Sequence, residues 1–437
     1  MLDLTEALSF CGHEHWGSLA SVGMLHGWFR NDMQAGAEPS RRTGLLDILL
    51  DPYLGGHLAG AGWAPDRLAQ EATGLGIHEL AATNIARAVE LIRPAIEQQR
   101  MTGTYACLAE GLHILYGIRP NLDDPDGLHA LDERIATAYQ NLHTWHPRAM
   151  AIAGFTDVIR PVQPEFFFGR TEAAIKEEAY LRTVLRIDAL LGFWQPDCPR
   201  RDRLAEWLHV EPVDTRSWRQ FLEALFDAAA ERGAIGIKQL QAYTRDLRFL
   251  PRGDDEVQFR GKLAPPQIRA FEDWLVHACC ELADARGWPH QIHVGTHNLQ
   301  ASAPLPLEPL ARRYPRMSLV LLHCWPFLDQ AAWLAKQLPN VYLDPCWLPI
   351  LSPAHLHTAL RTWLTYVPAH KIMASHDATS VEMATGAAAA LRRTLAEASE
   401  QAASWTQSSQ RDAEQLAHAI LHDNAQRLYS SHATLMR

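Results

Sequence analysis

His13 and His15 lie one residue apart near the start of the chain, a spacing that an extended backbone turns to a single side. Neutral imidazole is a common ligand for a borderline divalent ion, so the pair is the beginning of a metal site. Downstream, Lys238, His293, His323 and Asp377 each stand at the end of a short apolar run. Imidazoles and a carboxylate converging on one ion, with a position left open for water, would give a Lewis acid for a carbonyl oxygen and a nucleophile near neutral pH. Asp377 suits a double role, touching the ion and taking the proton of the attacking water as general base. Lys238 has no lone pair while protonated, so it either binds the ion as a carbamate or serves as a cation for a substrate oxygen. Tyr243 and Arg245 follow in the loop after the Lys238 run, where Arg245 offers a two-pronged fork to a substrate carboxylate. The catalytic candidates are thus Asp377, Lys238 and His323. The metal candidates are His13, His15, His293, His323, Asp377 and, if carbamylated, Lys238.

Residue type alone decides nothing in a chain with 22 histidines among 437 residues. His355 and His357 repeat the His13/His15 spacing, but they follow Pro353 in a stretch, 352–364, that reads as the start of a helix, where positions i and i+2 diverge. His290, His297 and His376 adjoin proposed ligands and are read as neighbours of the site rather than as ligands. Asp344 also closes an apolar run, but before Pro345 it reads as a turn former. Cys11 and Cys324 read as small packing groups, and Trp16 and Trp325 as core.

The elements that must carry these residues alternate. Extended runs at 234–238, 291–293, 319–323, 341–344 and 371–377 are separated by helical stretches at 269–286, 328–338 and 354–364. Parallel strands joined by crossover helices give that pattern, either as a (β/α)8 barrel or as a doubly wound open sheet. In a barrel, a polar residue at the C-terminal end of a strand is delivered to the mouth, where active sites of that architecture lie. The segment 19–146 is different, dominated by helical periodicity at 77–99 and 105–116, and reads as a helical insertion after the first strand. Strands resume with 150–160 and 181–188, and the tail is helical from 381 to about 403 and from 411 to 429. The expected division is 1–18 with 147–437 for the barrel and 19–146 for the insertion.

The formal charge of -10 is spread without a basic or acidic block, which argues for a small-molecule substrate and against nucleic acid or a membrane surface. Seven cysteines without a Cys-x-x-Cys pair fit neither a disulfide framework nor a structural zinc module. Reduced thiols, no basic N-terminal leader and no apolar run of membrane length give a cytoplasmic expectation. Composition leaves open whether the chain forms a homo-oligomer.

The sequence resembles the amidohydrolase superfamily, in particular the amidohydrolase-2 branch with its uronate isomerase-like proteins and the amidohydrolase half of nodulin/glutamine synthetase-like fusions. The likeness rests on His13 and His15, on Gly236 to Lys238 with Ala242 to Arg245, and on His293 with Gly295. It extends to His323, to Ser375, His376 and Asp377, and to the closing Asn424, Ala425, Arg427 and Leu428. What the resemblance implies is a distorted (β/α)8 TIM barrel, one or two divalent ions with zinc foremost, His13 and His15 as first-strand ligands, and Asp377 as ligand and base. It also implies hydrolysis of an amide, ester or lactone. A sugar-acid isomerase, a decarboxylase or a non-catalytic metal-binding barrel are the competing readings. His376 directly before Asp377 departs from the Ser or Thr that many relatives carry there.

Overall fold

The computed structural model describes residues 2–16, 42–168, 172–296 and 298–430. Seven strands pair in parallel in sequence order: β1 (Ser9–Cys11), β2 (Phe155–Val162), β3 (Arg182–Arg186), β4 (Ala234–Gln239), β5 (His290–Val294), β6 (Leu319–His323) and β7 (Val341–Asp344). The eighth position is extended backbone rather than a regular strand. Ile372 bridges Leu343, Met373 N donates to Leu343 O at 2.9 Å, and Asp377 N donates to His13 O at 3.0 Å, which closes the ring between β7 and β1. The architecture is the expected α/β barrel, distorted at this seam.

Register sets which residues share the mouth. Arg186 lies beside Lys238, Lys238 beside Gln291, and Val294 beside His323. The barrel interior is filled by Phe10, Ile159, Val184, Val320, Leu322 and Met373. Its floor is sealed from the C-terminal end of the chain. Leu428 and Tyr429 join that interior cluster, and the Tyr429 ring stacks on Phe10 with centroids 6.0 Å apart. Asn424 Nδ2 holds this plug by donating to Ala369 O and Ile372 O, both at 2.8 Å.

Among the described residues between β1 and β2 stand eight helices: α1 (Leu45–Leu49), α2 (Pro52–Gly60), α3 (Pro65–Thr73), α4 (Ile77–Thr83), α5 (Ile85–Glu97), α6 (Gly103–Tyr116), α7 (Pro125–Tyr139) and α8 (Leu142–Ala153). Local chemistry places their ends. Asn84, Thr102 and Asn141 each accept a hydrogen bond from a first-turn amide, and Asn84 splits the periodic stretch 77–99 in two. The reading of 150–160 as a strand is corrected here: α8 runs to Ala153, stops at Gly154 with φ 74, and β2 begins only at Phe155. The first part of the predicted insertion, 19–41, falls outside the described residues, as do 17 and 18 before it.

The crossover helices follow as α9 (Glu172–Glu177), α10 (Pro199–Leu208), α11 (Thr215–Glu231), α12 (Pro265–Arg286), α13 (Glu308–Arg313), α14 (Leu328–Gln337), α15 (Leu348–Leu351) and α16 (Pro353–Leu364). The tail forms α17 (Val381–Thr406), α18 (Gln410–His418) and α19 (Asn424–Ser430). Helices α6 and α17 approach through a glycine pair. A Cβ added at Gly111 would stand 1.8 Å from Glu382 O, and one at Gly386 would stand 1.7 Å from Cys107 O. All seven cysteines are unpaired, and no described helix is long and apolar enough to cross a membrane.

Candidate metal centre

Three histidines reach one carboxylate at the barrel mouth. Asp377 Oδ1 lies 3.4 Å from His13 Nε2 and 3.1 Å from His15 Nε2, and Oδ2 lies 3.5 Å from His323 Nε2. Lys238 joins them, its Nζ 3.0 Å from His13 Nε2. His13, Lys238 and His323 are fully buried or nearly so, and His15 keeps some exposure. The decoy pair stays away, with His355 bonded to Ser352 at the start of α16.

Neighbours fix which nitrogen of each imidazole faces the centre. His13 Nδ1 lies 2.8 Å from Gln291 Oε1, so the ring carries its proton there and presents the Nε2 lone pair inward. Gln291 is itself oriented, since its amide donates at 2.7 Å to both Gly12 O and the Tyr429 hydroxyl. His323 Nδ1 donates to Cys346 O at 2.9 Å and likewise turns Nε2 inward. Burial, reinforced by Lys238, pushes the His13 pKa down to about 4, and burial takes His323 to about 3, so both rings are neutral at physiological pH. Burial alone would raise the Asp377 pKa, but His13 and His15 outweigh it and hold the carboxyl well below its usual range. Neutral imidazoles facing an ionised carboxylate are the protonation states a metal requires of its ligands.

The fit to a cation is visible in unsatisfied atoms. His323 Nε2 and Asp377 Oδ1 are buried and have no hydrogen-bond partner, although polar groups shut away from water normally find one. Ligand-type atoms of His13, His15 and Asp377 lie within 4.8 Å of one another, as do those of His323, Cys346 and Asp377. Two imidazole nitrogens and a carboxylate form a donor set that suits a divalent ion such as zinc, with His323 Nε2 beside the other carboxylate oxygen.

His293 stands beside this set rather than in it. Its ring centroid is 4.3 Å from that of His323, but its Nε2 lies 2.8 Å from Thr296 Oγ1 and 3.2 Å from Gly295 O. Gly295 allows that turn: at φ 76, a Cβ there would meet Trp325 O at 2.0 Å. Tyr243 does reach the mouth, its ring 4.5 Å from His293. Arg245 does not serve as expected. Its nitrogens are committed to Asp246 O, Glu272, Arg248 O and Asp273, and its guanidinium lies over Phe249, so the fork stabilises the loop after β4. His297 lies outside the described residues. Asp344 is a buried acceptor for Ser375 Oγ at 2.6 Å and for the amides of Cys346 and Ser375, tying β7 to the seam.

Several residues at the mouth have no counterpart among the sequence candidates. Arg186 ends β3 beside Lys238 and pairs with Asp188 at 2.6 Å; the rule that a polar residue closes an apolar run would have found it. Gln291 precedes His293 by two on one face of β5, which period-two reading could also have found. Tyr53 and Trp347 carried no such signal. The Tyr53 hydroxyl, from α2, donates to Asp377 O, and its ring packs 5.6 Å from Trp347, which in turn lies 4.9 Å from His323.

The backbone around the site is unusual. Among the described residues, seven non-glycine residues have positive φ; His209 and Gln407 cap helices, whereas Thr296, His323, Cys324, Trp347 and Asp377 lie at or just after the ends of β5, β6 and β7 and at the seam. Left-handed backbone in non-glycine residues is costly and gathers at functional sites.

Residues 190–430, more than half of the chain, match a family model described as Amidohydrolase. The chain belongs to the amidohydrolase family. Among curated relatives, this amidohydrolase is 29% identical over 182 residues to Protein fluG of Emericella nidulans, a match covering 36% of the chain and 21% of that protein. The match thus spans about a fifth of the length of that relative. Among solved structures, the uronate isomerase of Thermotoga maritima is similar with a TM-score of 0.73 at 13% identity, covering 97% of this chain and 94% of that one. The glucuronate isomerase of Caulobacter crescentus gives 0.72 at 17% identity, covering 98% and 92%. At these identities the likeness is one of fold. Family membership implies an enzyme that depends on a divalent metal.

Proposed function

We propose that this amidohydrolase is a metal-dependent hydrolase of a small molecule bearing an amide, ester or lactone. The observation that carries the reading is the convergence of His13, His15 and His323 on the Asp377 carboxylate. When bound, a divalent ion, zinc by preference, would polarise the scissile carbonyl and acidify the attacking water. His13, His15 and Asp377 would hold it, with His323 on the far side of the carboxylate. Asp377 is ionised and accepts the water proton at a carboxylate oxygen, then returns it to the leaving group. His323 offers an Nε2 acceptor whose orientation is fixed by Cys346 O, and it steadies that proton transfer. Burial lowers the Lys238 pKa to about 8, which leaves part of the amine neutral near pH 7. A neutral amine adds CO2 with loss of one proton to give a carbamate ligand; the protonated form instead binds a substrate oxygen. With Arg245 engaged elsewhere, Arg186 beside Lys238 is the cation placed to meet an anionic part of the substrate, and Tyr243, Tyr53 and Trp347 supply its apolar walls.

A sugar-acid isomerase is the second reading, favoured by the two isomerases whose fold matches nearly the whole chain, helical insertion included. The deciding experiment is turnover of a panel of amides, esters, lactones and uronates by protein loaded with zinc, cobalt or manganese, in water enriched in oxygen-18. Hydrolysis places one labelled oxygen in the acid product, whereas isomerisation adds no water. Turnover that survives complete metal removal, or that is unchanged in Asp377→Asn, would sink the hydrolase reading.

A further inference from the structure

Glu14 is fully buried between the two histidines it separates, yet it takes no part in their contacts. His13 and His15 reach Asp377 inside the mouth, whereas Glu14 reaches the two residues flanking Asp377 from the other side. Its Oε2 accepts from Ala378 N at 2.5 Å, and its Oε1 lies 2.8 Å from His376 Nδ1 and 3.0 Å from the Cys11 thiol. One carboxylate thus grips the chain immediately before and immediately after the metal-facing aspartate.

The grip matters because the seam is the weakest part of the ring. Residues 373–378 have no strand ladder of their own. Two backbone bonds join them to the extension of β1: Asp377 N to His13 O at 3.0 Å and His15 N to Ala378 O at 2.9 Å. Asp377 has φ 62, a left-handed backbone that aspartate tolerates better than most residues but still at some cost, and its neighbours help hold the chain there. The buried amide of Ala378 would lose its acceptor without Glu14, and an unpaired buried donor is expensive.

We infer that Glu14 is a positioning residue for the metal centre, a strap across the barrel seam that sets the separation between the His13/His15 pair and the Asp377 carboxylate. The inference rests on the metal-centre reading above. It depends on reach and hydrogen bonding rather than on charge. Gln at position 14 keeps the span: its carbonyl oxygen accepts from Ala378 N, and its amide donates to His376 Nδ1 once that ring carries its proton on Nε2. Asp keeps the carboxyl group but is one methylene short, and Ala has neither.

The test is a Co(II) titration of the full chain, reading affinity and the visible ligand-field bands, for wild type and for Glu14→Gln, Glu14→Asp and Glu14→Ala. The expected result is a Gln variant matching wild type in affinity and spectrum. The Asp and Ala variants should bind about 10- to 100-fold more weakly with shifted bands, the size usual when support of a ligand is lost. Thermal unfolding of the metal-free forms is measured alongside; should Glu14→Ala not fold, the Gln and Asp pair still decides. Asp and Ala variants with wild-type affinity and spectrum overturn the strap while leaving the metal centre standing. A Gln variant as impaired as Asp also overturns it, because a side chain of full reach and hydrogen-bonding capacity would then not suffice. A wild type that binds no Co(II) overturns the metal centre and the strap together.

Discussion

Gln291 Oε1 meets His13 Nδ1 at 2.8 Å, and the same amide is anchored by Gly12 O and the Tyr429 hydroxyl. The side chain therefore fixes both the tautomer and the rotation of an imidazole that faces the centre, from a base pinned to the floor of the barrel. Gln291→Leu, similar in volume, is expected to weaken divalent metal affinity about 10- to 100-fold. Competition with a chromophoric chelator checks this. Wild-type affinity in the variant would show that His13 needs no such partner.

The glycine crossing of α6 on α17 predicts steric intolerance. Gly111→Ala or Gly386→Ala would push a methyl into a backbone carbonyl, and each should lower stability by at least about 1–3 kcal/mol, the usual cost of overpacking. Gly56, inside α2 with nothing within 4 Å of its virtual Cβ, is the control, and Gly56→Ala should raise stability by about 0.5–1 kcal/mol. Urea unfolding midpoints distinguish the two signs.

His146 predicts an acid limit. Both its ring nitrogens are buried without a hydrogen-bond partner, its ring lies 5.3 Å from Trp16, and burial pushes its pKa down from 6.5 to about 3. Between those two values the unfolded chain carries the extra proton, so stability is lost as pH falls through that window, and nothing is lost above it. The slope from one such group approaches about 1.4 kcal/mol per pH unit. In His146→Phe the stability against pH should be flatter by that amount between about pH 6 and pH 4, measured by denaturant titration. An unchanged slope would mean that His146 protonates in place.

Arg245 is expected to matter for folding more than for substrate. Its partner Asp273 is fully buried, and removing one member of a buried pair typically costs about 3–5 kcal/mol, here moderated by Arg252, which also bonds Asp273 at 3.0 Å. Arg245→Ala should therefore lower the unfolding midpoint while leaving KM for any substrate and metal affinity near wild type. Arg186→Ala, which leaves Asp188 without its partner, should lower stability as well but, unlike Arg245→Ala, should raise KM.

The barrel was readable because its strands end abruptly: an apolar run closed by His323 or Lys238 declares both an element and its orientation. The seam was less readable, since 371–377 is held by Asp344, Ser375 and bonds to β1 rather than by a ladder. The strand expected from 150 begins only at Phe155, because the apolar residues before the left-handed Gly154 suit the end of α8 as well as a strand. Arg245 was misjudged since Glu272 and Asp273, which consume it, lie a full loop away on α12. Tyr53 gave no hint of its place, because a side chain reaching the mouth from an inserted helix obeys no periodicity of the barrel.

The left-handed residues around the mouth have a consequence for any attempt to make the protein hardier. Thr296, His323, Cys324, Trp347 and Asp377 each hold a backbone shape that glycine would adopt without strain. Selection for heat resistance alone would be drawn to this rim, above all to the half-buried Thr296, where glycine relieves the strain against an entropic cost. At the fully buried Cys324 it would also remove packed atoms, and each such exchange would slacken the frame that aims the imidazoles. Durability and catalysis thus compete over the same few peptide units, so a hardier form that keeps its activity has to be sought in the surrounding helices.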